Sequence, residues 1–490
     1  MSHKPKIHTL GELKQSGWRS RSVRDELREN LLERLRSGQK LFPGLHGYDD
    51  TVVRSLVNAL LARHDILLLG LRGQGKTRLL RQLPTLLDEW MPALAGTDLR
   101  EDPFSPVTTA ARRLVSELGE DAPLEWIHRE ERYREKLATP DTSMADLIGD
   151  IDPVKAVSQG IGFGHEDAVQ WGIVPRSNRG IFAINELPDL QPRIQVGLLN
   201  LLEERDIQIR GIPLRLDLDV MFAFSANPED YTRRGNLITP LKDRIGSQIL
   251  THYPKHESVA RAITDQEAWT GRGGPTVRIP APLRDAVERI AFEGRKSTDL
   301  VDPRSGVSQR LSIAALETLH SAVEARCALL GTDSGEARLA DLFATIPAIT
   351  GKLELAMEGE REGSLEVARL LVAKACKAVF DATFKPPVDR RRNAQMESLD
   401  QPVVGWFEGG NTLDISGDLP DEAHRESIGS IELLEPTMRS LARDPAWNPG
   451  QDLTAWKEIF LEGLHQHGRI KRSLREGRVE FGDALSRDLD

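Results

Sequence analysis

The chain has 490 residues, of which 39% are hydrophobic and 29% charged, and a formal net charge of −10. That length exceeds one hydrophobic core and predicts roughly two to four domains. The acidic balance argues against a dominant nucleic-acid or anionic-membrane role. Two cysteines, Cys327 and Cys376, are too few for a disulfide framework or a cysteine zinc site.

They are expected to be buried, inert thiols in a reducing, cytoplasmic setting. No apolar run of about 18 residues marks a membrane span. No apolar stretch follows the first residues, Met-Ser-His-Lys-Pro-Lys, so no secretory signal is expected.

Residues 1–40 are polar and basic, and residues 22–36 place apolar side chains at helical spacing, predicting an N-terminal helical arm. Leu41, Phe42, Pro43, Gly44 and Leu45 make a turn, and Asp49 and Asp50 open a helix to Arg63. Residues 66–69 are a short, continuous apolar run, which predicts a buried strand. Residues 92–145 are charged and interrupted by Pro103, Pro106, Pro123 and Pro140; they read as helix and loop. A Gly-rich stretch covers 146–180.

A second buried strand, 181–184, ends in Asn185 and Glu186, and residues 191–204 read as a helix. Residues 206–210 alternate, stop at Gly211 and pair hairpin-like with 214–218. A third buried strand, 219–225, ends in Ala226, Asn227 and Pro228, and a helical turn carries Leu241, Lys242, Asp243 and Arg244. Buried strands alternating with helices predict a parallel α/β sheet, here a core over 41–254. Helical periodicity, as at 308–325 and 364–380, predicts a helical lid and extension over 255–383. Residues 384–422, rich in Pro, Gly and Asp, read as a linker or irregular arm, and 423–490 as a charged helical region. No internal repeat is present.

The segment from 66 to 80 carries the clearest chemistry. Gly70, Gly75, Lys76 and Thr77 satisfy G-x-x-x-x-G-K-[ST], with a strand before and a helix after. Glycines let the backbone approach phosphate, and successive N–H groups, including those of Gly73, Gln74 and Arg78, point inward. The start of the following helix adds positive dipole. Lys76 would reach the β- and γ-phosphates of a nucleotide, and the Thr77 hydroxyl would bind Mg²⁺.

Such a loop needs a partner at the end of a neighbouring strand. Glu186 can orient or deprotonate the attacking water. Asn185 can hold Mg²⁺ through water but brings no charge. Asn227 can hydrogen-bond the γ-phosphate or the water, although Asn-Pro also makes turns. Arg244 can reach a neighbouring subunit's phosphate, and Arg310, opening a long helix, can couple nucleotide state to the lid. Arg233, Arg234 and Arg304 compete for those two roles.

Together these residues resemble the AAA+ ATPases, specifically the magnesium-chelatase ATPase subunit and MoxR group, over roughly 41–325. Phe42 to Gly47 is similar to that group's entry motif, and Gly70 to Thr77 to its Walker A loop. Gly149, Asp150, Ile151 and Asp152 match a Gly-Asp-Ile-Asp stretch of chelatase subunits. The run from Gly172 to Glu186 resembles the approach to Walker B, with Asn185 where Asp is usual. The segment from Ser225 to Glu229 resembles sensor 1, Leu241 to Arg244 the arginine-finger motif, and Gly306 to Leu311 the sensor 2 helix start. The resemblance implies an α/β ATPase core with β-hairpin insertions, near 155–175 and 206–218, and a helical lid. It implies a homo-oligomeric ring, expected as a hexamer, with ATP at subunit interfaces. It also implies a von Willebrand factor A partner in a separate chain, because the run from Asp414 to Asp418 lacks the second serine of that domain's Asp-x-Ser-x-Ser motif.

Three readings follow: an ATP-driven motor that remodels a partner; the ATPase subunit of a Mg or Co chelatase acting on a tetrapyrrole; and, because of Asn185, a nucleotide-gated scaffold with little turnover. His465 and His467 do not share a helix face, so they do not read as a metal site. The basic run 470–478 reads as a solvated helix face, and Trp406, Trp447 and Trp456 as packing residues.

Overall fold

Met1–His252 forms one compact unit and Tyr253–Asp490 a second. The computed structural model describes residues 4–162, 165–203, 207–209, 212–214, 216–228, 237–387, 398–475 and 478–484.

The first unit is built on a sheet of five strands: β1 (Ile66–Leu69), β2 (Tyr133–Leu137), β3 (Gly180–Asn185), β4 (Val220–Ala226) and β5 (Ser247–Leu250). Their order is β5-β1-β4-β3-β2, and every pairing is parallel. Ile66 lies beside Ala223, and Met221 beside Ile181. Side chains alternate across the sheet. Leu67, Phe182, Ile184, Phe222 and Phe224 enter one core. Ile66, Leu68, Ile181, Ala183, Met221 and Ala223 enter the other. Burial on both faces is why β1, β3 and β4 read as unbroken apolar runs.

The edge strands lack that signature. β2, Tyr-Arg-Glu-Lys-Leu, has no fully buried side chain, and β5 buries only Ile249. An edge strand packs less completely and tolerates charge. The stretch 92–145, expected as helix and loop, therefore supplies a sheet strand. With residues just before it, it also supplies an antiparallel pair, Trp90–Leu94 with Leu124–His128.

The predicted N-terminal helix is Val23–Arg36, with the Ser22 hydroxyl accepting from the Asp25 N–H. It is packed down: Val23, Leu27 and Leu31 share the core of β1. Buried Glu26 accepts from Arg132 Nη1 and Nη2 at 2.7 and 2.6 Å. The helix expected from Asp49 starts as a π turn, Asp49–Val53, and continues as Arg54–Leu61. The Gly-rich stretch contains the antiparallel pair Gly149–Ile151 and Val169–Trp171 around a helix, Pro153–Gln159. Ile207–Ile209 pairs antiparallel with Ile212–Leu214; the turn at Gly211 lies outside the described residues. The fold class is thus the expected one, a parallel α/β sheet with hairpin insertions followed by a largely helical region.

In the second unit, helices Ala281–Lys296, Arg310–Leu330, Ser364–Thr383 and Leu453–Gln466 contribute to one core. The stretch expected as a linker joins that core through Val403, Val404 and Phe407 of helix Gln401–Glu408 and Leu413 and Ile415 of strand Leu413–Ser416. Residues 423–490 are not all helical. Ile470–Arg475 and Arg478–Asp483 pair antiparallel, and the latter also pairs with Leu413–Ser416. The basic run is therefore mostly strand, not a solvated helix face, because Ile470 enters the core and Leu474, on the same face, packs against it. His467 pairs with Asp381 at 2.7 Å, and His465 Nδ1 accepts the Arg472 N–H at 3.2 Å. Trp447 and Trp456 pack edge-on against Phe384. Both cysteines are buried, and burial pushes the Cys376 thiol well up. No described helix is long and apolar enough to cross a membrane.

Candidate functional site

Parallel strands bring their carboxyl ends to one side, where open α/β sheets place ligand sites. β1 there runs into Gly70, β3 into Glu186 and β4 into Asn227. Register decides which side chains meet. Asn185 and Ser225 continue the alternation of Ile181, Ala183, Met221 and Ala223, the face whose core also contains Leu79 and Leu80 of the helix after the loop.

The loop needs its glycines for two different reasons. Gly73 and Gly75 have φ of 72° and 75°, a region that favours glycine. A Cβ on Gly70 would stand 2.0 Å from Thr251 Oγ1 and 2.2 Å from Gln74 Oε1, so a side chain there would displace both groups. A Cβ on Gly75 meets nothing within 4 Å. The helix that follows, Lys76–Leu80, has only 5 residues. Its dipole is a minor contributor beside the loop N–H groups and Lys76. Arg78 is exposed on it.

Lys76, 6% exposed, bonds the Gly70 carbonyl, the Leu71 carbonyl at 3.0 Å and Asn227 Oδ1 at 2.7 Å. The Asn227 amide donates to Glu186 Oε2 at 2.7 Å. One chain of hydrogen bonds thus joins Lys76, Asn227 and Glu186, three residues widely separated in sequence. Thr77 Oγ1 lies 3.5 Å from Asn185 Oδ1, which places the two expected Mg²⁺-side residues together.

Glu186 sits in the left-handed region, φ 54° and ψ 49°. For a residue with a Cβ this costs about 1–2 kcal/mol, and such strain gathers at functional sites. The chain turns away from β4 there, so the side chain of Ser225 takes over from the ladder. Ser225 is 1% exposed, accepts the Glu186 N–H at 3.3 Å and donates to Asn185 Oδ1 at 3.1 Å. Ser225 opens the run that resembles sensor 1 but was not itself among the expected site residues; its further sequence signal is a hydroxyl within an apolar strand.

Arg244 is exposed at the end of helix Thr239–Arg244, with Nη1 on the Pro240 carbonyl at 3.1 Å. Arg310 belongs to the second unit, is exposed, and its guanidinium has no hydrogen bond among the described residues. Arg304 pairs with Asp302 at 2.9 Å. Arg233 and Arg234 lie outside the described residues.

No family model matches the chain, and no curated protein matches it. Among solved structures, it is similar to a chain in the complex between subunits BchI and BchD of magnesium chelatase. Identity is 21% over 65% of this chain and 98% of that one, with a TM-score of 0.35. A putative ATPase from Cytophaga hutchinsonii matches at 16% identity over 74% and 98%, with a TM-score of 0.29. NtrX from Brucella abortus in complex with ADP matches at 13% over 64% and 53%, with a TM-score of 0.33. With superpositions this partial, the functional reading rests on the loop, the sheet order and the hydrogen bonds above.

Proposed function

We propose that the chain binds ATP with Mg²⁺ at the Gly70 to Thr77 loop and hydrolyses it. In this reading it is an AAA+ motor of the magnesium-chelatase and MoxR type that remodels or activates a partner protein. The observation that carries the proposal is the hydrogen-bonded chain from Lys76 through Asn227 to Glu186 beneath the loop. A cation for phosphate, an amide and a carboxylate for water converge from β1, β4 and β3, as phosphoryl transfer to water requires.

The donor set fits both groups. Loop N–H groups and open space at Gly75 suit phosphate, and oxygen donors at Thr77 and Asn185 suit Mg²⁺. When bound, the metal would neutralise phosphate charge. Lys76 binds and orients the terminal phosphates. Glu186 takes up or orients the proton of water, and Asn227 holds both partners in register. Arg244 from a neighbouring subunit of a homo-oligomeric ring, and Arg310, add positive charge as it develops on the phosphate. A partner carrying a von Willebrand factor A domain in a separate chain, and a cytoplasmic setting, complete the proposal.

Asn185 favours a second reading, a nucleotide-gated scaffold with little turnover, because an amide contributes no charge to the metal. Steady-state ATP hydrolysis separates the two. The motor reading expects turnover abolished by Lys76→Ala. Bound ATP with no activity above that variant favours the scaffold.

A further inference from the structure

Tyr48 is buried, at 6% exposure, and its hydroxyl faces two carbonyl oxygens. One belongs to Gln74 in the phosphate loop, at 2.5 Å; the other belongs to His252, at 3.0 Å. His252 is the last residue of the first unit, and the next peptide begins the second. A phenol carries one proton. It can make a full hydrogen bond to the loop or to the crossing point, but not to both.

The side chain of each acceptor residue is also held by a neighbour. Gln74 Oε1 accepts the Thr251 hydroxyl at 2.6 Å, and the Thr251 N–H donates to the Leu69 carbonyl at 2.8 Å. The His252 ring stands edge-on to Tyr48 with centroids 5.1 Å apart, and its Nε2 lies 2.8 Å from Thr51 Oγ1. Gln74 itself lies between Gly73 and Gly75, both at positive φ, so its peptide can turn at low steric cost. Phosphate oxygens accept from the N–H groups of such a loop and draw its peptides toward them.

We infer that Tyr48 is a positioning residue that couples the phosphate loop to the crossing between the units, by shifting its single proton from the Gln74 carbonyl to the His252 carbonyl when phosphate binds. The inference rests on the reading of the loop as a nucleotide site. Tyr48→Phe keeps the ring against His252 and removes only the donor.

The experiment is amide hydrogen exchange over residues 247–256 of the full chain, with and without Mg²⁺ and a slowly hydrolysed ATP analogue. Binding of the analogue is titrated in parallel. The unaltered chain should gain protection at these residues, and Tyr48→Phe should bind the analogue yet lose about fivefold of that gain, the effect of one hydrogen bond. In the unaltered chain, carrying only 4 tyrosines, the Cζ resonance of Tyr48 should shift on analogue addition. Undiminished protection in Tyr48→Phe, no protection in the unaltered chain, or an unmoved resonance would overturn the coupling. Failure of the unaltered chain to bind the analogue would overturn the nucleotide reading as well, and the titration reads that separately.

Discussion

The two units use the same polar residue types for different ends. In the second unit, buried charges meet opposite charges: Arg326 with Asp341, Arg284 with Glu288, Glu462 with Arg472. Arg326–Asp341 and Glu462–Arg472 each join two elements of the core, and Arg284–Glu288 lies within one helix. At the strand ends of the first unit, Lys76, Asn227, Glu186, Asn185 and Thr77 instead bond one another beside a glycine loop with open space at Gly75. Burying charge costs free energy whichever arrangement is used. What separates a site from a structural ion pair is convergence on backbone donors that a ligand can still reach.

The largest expected effect falls on the site side. Glu186→Gln should slow hydrolysis by about 10²–10⁴-fold, the usual contribution of a general base, while ATP binding is kept. Lys76→Ala should weaken ATP binding by about 100-fold, since it removes charge-assisted hydrogen bonds to phosphate; equilibrium titration checks this. Asn185→Asp should work in the other direction. Thr77 and Ser225 already present hydroxyls to Asn185 Oδ1, so a carboxylate is accommodated. The added charge should lower the Mg²⁺ concentration needed for half-maximal activity by about tenfold.

The second unit offers the counter-test, because a structural charge should affect stability and not turnover. Glu462 Oε1 accepts from both Gln466 and Arg472, while Oε2 is buried with no hydrogen-bond partner among the described residues. Burial raises this carboxyl from 4.5 to about 7. The folded chain then keeps a proton that the unfolded chain releases. This group's stabilising contribution is full below pH 4.5 and is lost as pH rises through about 7. The loss amounts to about 3 kcal/mol. Urea unfolding of the full chain at pH 5 and pH 8 should register it, and Glu462→Gln should flatten the dependence. An equal pH dependence in the variant would assign the effect elsewhere.

The comparison also explains what could be read from sequence. β1, β3 and β4 are packed on both faces, so their patterns are plain, and the residues that end them, Gly70, Glu186 and Asn227, could be placed at one edge. β2 and β5 are edge strands with charged or mixed sequences, and hydrophobic patterning is silent there. The second unit's strand Leu413–Ser416 and its partner Arg478–Asp483 lie far apart in sequence, so a pairing that buries Ile415 and Val479 leaves no local trace. Ser225, Thr251 and Tyr48 support the loop from neighbouring elements, and their roles depend on register and distance, which spacing along the chain does not carry.

The central claim is that these strand ends form a site for ATP hydrolysis. The direct measurement is steady-state phosphate release by the full chain with Mg²⁺ and ATP, made beside Lys76→Ala and Glu186→Gln, with ATP binding titrated for all three. The account predicts turnover in the unaltered chain, none in Lys76→Ala, a rate lower by about 10²–10⁴-fold in Glu186→Gln, and, of the two variants, ATP binding retained only by Glu186→Gln. An unchanged rate in Glu186→Gln, or no rate in the unaltered chain above that of Lys76→Ala, would contradict it.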